Sequence, residues 1–279
     1  MSEFKIIETE TFDSLGKFLA AINSRENNDM MKNEHASEKN DSSFSNCQSY
    51  ELAVEYATKG WEEKLSEIKS QFINSVKTNA NGAIDRRRTY NHVVGYAPNV
   101  PNAILGLPQS MICSHKEPQK VKVVSLIYAP DANCGTSADT FIKAGIVILN
   151  IVNRLELNGI RVNLKIAAYD ATSYNSGYAG CYITVKDYRE PLDLKKIAFP
   201  IAHPAMLRRL GFKWIETFPN LKGDYTGGYG RTESGDNGHR ERLIEMGLLR
   251  ETDYFTSLER VEKRKFNVDE VMKDAGIKL

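Results

Sequence analysis

The sequence has no excess of either charge. Its 37 lysines and arginines stand against 36 aspartates and glutamates over 279 residues, so the net charge calls for neither nucleic acid nor an anionic membrane, and only a local basic patch would attract one. No apolar run approaches the roughly 18 residues of a spanning helix. The opening Met1-Ser2-Glu3-Phe4-Lys5 lacks the basic start and apolar core of a secretory leader. An intracellular protein with no membrane partner is therefore expected. Cysteine is scarce too: Cys47, Cys113, Cys134 and Cys181 form no CxxC pair and have no close histidine, a pattern of reduced thiols that excludes a zinc site or disulfide framework. There is no P-loop, no dinucleotide fingerprint and no nucleophile in a recognisable turn. No cofactor is expected, and no catalytic residue is assigned. What is present is enough apolar chain, 41% of the residues, to bury one large core or two modest ones.

The first 118 residues read as a helical extension. Thr11 is placed to cap a short helix in which Phe12, Leu15, Phe18, Leu19 and Ile22 form one stripe. Residues 23–46 are rich in Asn, Ser, Glu and Lys with few aliphatics, so they are expected to form a mobile linker. Ser49 then caps a long helical pattern through Ala53, Ala57, Trp61, Leu65, Ile68, Phe72 and Val76, with Gly60 a point of weakness beside Trp61. From Asn79 to Pro118 the periodicity gives way to turns at Asn81-Gly82, Pro98, Pro101, Pro108 and Pro118. This stretch is expected to be an irregular arm packed on the domain that follows.

Residues 119–279 are more regular. Val121 to Tyr128 reads as a buried strand. A helix with Phe141, Ala144, Ile148, Ile151, Val152 and Leu155 on one face follows, stopped by Asn158-Gly159. Val162, Leu164, Ile166 and Ala168 alternate with polar residues as a second strand, and Cys181 to Val185 suits its antiparallel partner. Helices are expected over Leu192 to Ala198, Pro204 to Trp214, Arg240 to Leu249 and Val268 to Ala275, with a strand at Asp253 to Thr256. In the second of these helices, Met206, Leu207, Leu210 and Trp214 should face the sheet while Arg208 and Arg209 project toward a side or the rim.

At Val121 to Ala168 the succession of strand, long helix, strand and hairpin strand resembles a von Willebrand A domain, which implies an α/β, Rossmann-like sheet flanked by helices. In that family the first strand ends in an Asp followed by two spaced serines that hold a divalent cation. Here the strand ends Tyr128-Ala129-Pro130-Asp131, with Ser137 further on, and lacks that spacing, so Asp131 and Ser137 are candidates only for a degenerate metal site. A second resemblance, over about two thirds of the chain, is carried by Ser49-Tyr50-Glu51-Leu52-Ala53 with Gly60-Trp61, by Val100-Pro101 and Gly106 to Met111, by Asn153 to Gly159, and by Ala202-His203-Pro204-Ala205-Met206-Leu207-Arg208-Arg209-Leu210-Gly211-Phe212. These stretches are similar to an uncharacterised family of bacteriophage proteins. That resemblance implies a phage origin, with the host cytoplasm or the virion as the place of action.

Several residue groups bear chemistry, each beside a structural alternative. His203, Arg208 and Arg209, at a helix opened by Pro204, suit an anion or a set of internal ties. Arg86, Arg87 and Arg88 with Tyr90 combine cations and a stacking group, as single-stranded nucleic acid requires, or form a solvated edge. Gly223 to Arg231 could cradle phosphate through its backbone amides, but Gly223 to Gly238 better suits an exposed loop. Asp170 and Asp187 are candidates for an acid and base pair or for ordinary solvated strand ends. The function expected is non-enzymatic binding of a phage or host protein through the rim loops 129–137, 169–180 and 223–238. RNA or single-stranded nucleic-acid binding is the alternative, and a cryptic hydrolase comes third.

Overall fold

Ile6–Phe12 forms β1, where the helix pattern starting at Thr11 gives no hint of a strand. Its Ile, Thr and Phe residues favour a pleated surface. The first helix, α1 (Leu15–Ser24), is capped by Ser14, whose Oγ accepts from the Lys17 amide at 3.2 Å, and it buries Phe18, Leu19 and Ile22. The computed structural model describes residues 6–27, 37–38, 42–76, 87–116, 122–171, 178–219 and 236–278. Within the stretch expected as a linker, Ser37 and Ser45 are buried, and a short helix, α2 (Ser42–Ser45), precedes the next element.

Ser49 caps α3 (Tyr50–Lys59) through the Leu52 amide, as its position predicts. Gly60 ends the helix at a φ of 94° that a side chain would resist, so the long pattern is two helices, the second being α4 (Leu65–Val76). Trp61, between them, is fully buried.

The expected irregular arm has a fold of its own. β2 (Arg87–His92), β3 (Ala97–Pro98), α5 (Val100–Ile104) and β4 (Met111–Lys116) form a small antiparallel sheet in the order β2-β4-β3. Asn side chains supply the turn chemistry that hid this sheet from pattern reading. Asn99 Oδ1 caps α5, Asn99 Nδ2 donates to Asn91 Oδ1 at 3.0 Å, and Asn102 Nδ2 donates to the Gln109 carbonyl at 3.2 Å.

The main sheet follows. β5 (Lys122–Ala129), α6 (Ala138–Leu157), β6 (Ile160–Ala171) and β7 (Tyr178–Lys186) run in the order the sequence suggests. After α7 (Leu194–Ala202), a π-helical turn over Met206–Gly211 leads directly into α8 (Phe212–Thr217). Then come α9 (Asp236–Glu245), β8 (Tyr254–Ser257), α10 (Leu258–Lys263) and α11 (Val268–Asp274). The five strands lie in the order β1-β7-β6-β5-β8. β5 is parallel to β6 and β8, β1 is parallel to β7, and only the β6–β7 pair is antiparallel. The fold is thus mixed α/β, a mostly parallel sheet flanked by helices.

Residue parity sorts the faces. Leu126, Tyr128, Val162, Leu164, Ile166, Cys181 and Ile183 join the large core under α1, α6, α7, the π-helical turn, α10 and α11. Ile127, Ala129, Ala167 and Phe255 point the other way, against Leu243, Met246, Leu248 and Leu249. Twelve of the twenty residues of α6 are buried, the pattern of a helix covered nearly all round. Where α6 crosses α7, a Cβ on Gly145 would lie 2.4 Å from Ala202 Cα, so the two backbones touch and only glycine fits.

Candidate functional site

β5 has β6 on one side and β8 on the other, so the strand order reverses at its carboxyl end, where α/β sheets bind ligands. Asp131 and Ala132 are buried there, while Asn133, Cys134 and Gly135 are exposed. Ser137 Oγ caps α6 by accepting from the Thr140 amide at 3.2 Å, which gives this residue a structural task at the helix start. Among the described residues no group of three or more His, Cys, Asp or Glu is placed to hold a metal ion. The paired strands also bring together two fully buried side chains, Tyr128 and its register partner Thr256, whose hydroxyls have no hydrogen-bond partner among the described residues.

The rim loop is held from beneath. Arg208 donates Nη2 to the carbonyls of Asn133 at 3.2 Å and Thr136 at 2.8 Å, with its guanidinium 4.8 Å from the centre of the Phe141 ring. Arg209 is buried on the opposite side. Its Nε donates to Ser45 Oγ at 3.1 Å, Nη1 to the Ser37 carbonyl at 2.8 Å and Nη2 to the Cys47 carbonyl at 2.9 Å. Glu216 accepts from the Ser37 amide at 3.0 Å and from its hydroxyl. Neither arginine projects to an open rim, which corrects the outward placement expected from an α-helical wheel. The π-helical turn widens the helix, and covering chain on both flanks buries all five residues from Met206 to Leu210. His203 is buried as well. Its Nδ1 accepts from the Ala205 amide at 3.0 Å, and its ring sits 4.7 Å from Trp61 and 5.2 Å from Phe199. Burial holds its pKa down to about 4.

The basic cluster divides. Arg86 lies outside the described residues. Arg87 and Arg88 occupy the first two positions of β2, in register with Lys116 and His115 of β4. Tyr90 is exposed, its ring 6.1 Å from that of His92 and nearly perpendicular to it. Of residues 223–238, only Asp236 to Gly238 are described, as the start of α9. Asp170 is in register with Ala179, and Asp187 follows Lys186, which is in register with Leu164. By that register the two residues stand seven strand positions apart, about 23 Å at strand rise, too far for a shared acid and base step.

The arm holds what sequence reading missed. No residue from Thr89 to Ser114 is buried, although the segment was expected to pack on the main domain. Eight large apolar side chains there face solvent: Tyr90, Val93, Val94, Tyr96, Val100, Ile104, Leu105 and Leu107, with Ile104 80% and Val94 74% exposed. The same 26 positions contain no Asp, Glu, Lys or Arg. That gap in charge was the available signal. Single exposed aliphatics are ordinary, but a contiguous uncharged set is what contact surfaces display.

The chain belongs to the family defined by a domain of unknown function, DUF7192, whose model matches residues 5–278. No curated protein and no solved structure matches it.

Proposed function

We propose that this member of the DUF7192 family is a non-enzymatic binding protein that engages another protein, with the arm 89–114 as its described contact surface and a von Willebrand A-like sheet as its scaffold. The observation that carries the reading is the exposed, uncharged apolar set on the arm. Interfaces are depleted in charge at their centres and enriched in aromatic residues, and a contiguous exposed apolar patch marks a contact site. Asn91, Asn99 and Asn102 fix the arm's conformation through their own hydrogen bonds, so the side chains are presented with little ordering still to be done on binding. The von Willebrand A likeness is supported by the succession β5, α6, β6 and β7 and by β8 returning to the free side of β5. It would add the rim loop 129–137 to the contact surface. The bacteriophage resemblance supplies the setting, a phage or host partner met during infection or particle assembly, in the host cytoplasm or the virion.

The test is a comparison of the full-length protein with the Ile104→Asp, Leu105→Asp double variant. Both are immobilised and exposed to extracts of phage-infected host cells. A defined protein retained by the parent and lost from the variant, with unchanged melting temperature, is the expected result. Equal recovery by both would remove the arm from the interface.

The second reading is nucleic-acid binding at the arm's base. It is favoured by the exposed ring pair of Tyr90 and His92 on the strand that begins Arg87-Arg88. Phosphate contacts release counterions, so this reading requires binding of a short single strand that weakens steeply with salt. The uncharged remainder of the arm offers phosphate nothing.

A further inference from the structure

The second face of the main sheet is covered over only part of its height. Met246 and Leu248 press on β7, where a Cβ on Gly180 would lie 2.6 Å from each, and Leu243 and Leu249 complete the cover over Ile127 and Ala167. Toward the amino ends of β5 and β6 the cover stops. Val123 is 43% exposed, and Arg161, Asn163 and Lys165 are exposed or half-buried. Sheets with parallel strands are normally covered on both faces, so this margin leaves polar side chains standing on an open floor.

Lys165 stands at that margin. Its Nζ lies 4.4 Å from the centre of the Tyr182 ring. Among the described residues no carboxylate is within ion-pair distance of it. The nearby acid is already engaged: Asp253 takes Arg250 Nη2 at 3.0 Å, Arg250 Nε at 3.2 Å and the Arg250 amide at 3.1 Å. Arg250 Nη2 also reaches Ser125 Oγ at 3.5 Å. Asp253 is therefore taken by Arg250, and the half-buried ammonium of Lys165 is the cation left over. Burial pushes the Lys165 pKa down and the Arg250 charge adds to that effect, while Asp253 and Asp187 oppose it.

We propose that Lys165, flanked by Arg250 and Ser125, binds a small oxyanion of the phosphate class on this open half of the sheet. A lysine serves phosphate as a point charge. Here it lies over an aromatic face, on the strand beside β5, whose Ser125 hydroxyl is met by the Arg250 guanidinium from the chain before β8. The Arg250 side chain is 72% exposed, so the ligand reaches the site from solvent, and Asp253 disfavours highly charged anions. The site is independent of the arm, and either assignment can fail without the other.

Inorganic phosphate is the probe. Thermal melts of the full chain at pH 7 should rise by about 2–4 °C in phosphate relative to chloride at equal ionic strength, the size expected when ligand exceeds its Kd severalfold. Lys165→Met should abolish the rise and Lys165→Arg should keep part of it. Acetate should not reproduce it. If Lys165→Met does not fold, calorimetric titration of Arg250→Gln should show several-fold weaker phosphate binding. No phosphate-specific rise in the parent, an equal rise in acetate or in Lys165→Met, or unchanged binding by Arg250→Gln would each overturn the assignment.

Discussion

His203 is neutral inside the fold and free to take a proton outside it. Burial lowers its folded pKa to about 4 from 6.5, so between these values the unfolded chain holds the extra proton and stability rises with pH. The contribution is complete above pH 6.5 and is lost as the pH falls toward 4, to an extent of up to about 3 kcal/mol. Urea unfolding at pH 7 and at pH 4.5 should show the loss, and His203→Phe should flatten that slope. At Arg209, one guanidinium donates to the carbonyls of Ser37, Cys47 and Gln48 and to the Ser45 hydroxyl. Arg209→Met strands those acceptors and should cost about 3–5 kcal/mol, as much as the core truncation Leu210→Ala at about 2–5 kcal/mol. Denaturant midpoints of the two variants decide this. If Arg209→Met is as stable as the parent, the N-terminal segment is not tied to the core through that side chain.

Among the elements, α6 and α7 meet backbone to backbone at Gly145 and Ala202. Gly145→Ala should force the helices apart and destabilise by about 1–3 kcal/mol, despite alanine's better helix propensity; chemical denaturation of the purified variant measures it. The strands and helices from β5 to β7 were legible in the sequence because their apolar residues recur at unbroken strand and helix spacing. So was Ser49 as a cap. β1 was not, because the glutamates Glu8 and Glu10 break an apolar alternation in the sequence, and Glu10 is half-buried, with Arg25 and the Trp214 indole donating to it. The inward turn of Arg208 and Arg209 was equally hidden. A π-helical register and covering chain from distant parts of the sequence decide it, and neither leaves a local pattern. The arm's sheet is held by asparagine bonds and short ladders, with no hydrophobic period to read.

For the whole molecule, an arm with no buried residue from Thr89 to Ser114 makes stability and binding separable. Replacing that segment with a short Gly-Ser turn should shift the melting temperature by no more than about 2 °C while removing partner capture; a collapse of the melt would mean that the arm is part of the fold. The main sheet has the opposite character. Its edge strand β1 pairs with β7, and the Ser37 tie to Arg209 spans 172 positions. On a ribosome that adds roughly 5–20 residues per second, the first strand emerges on the order of ten seconds or more before its partner exists. The nascent β1 therefore waits as an unpaired edge of Ile and Thr residues, a ready template for wrong pairing. Stalled nascent chains should show residues 6–24 sensitive to protease until residue 186 has cleared the exit tunnel, and protected only after residue 217 has followed.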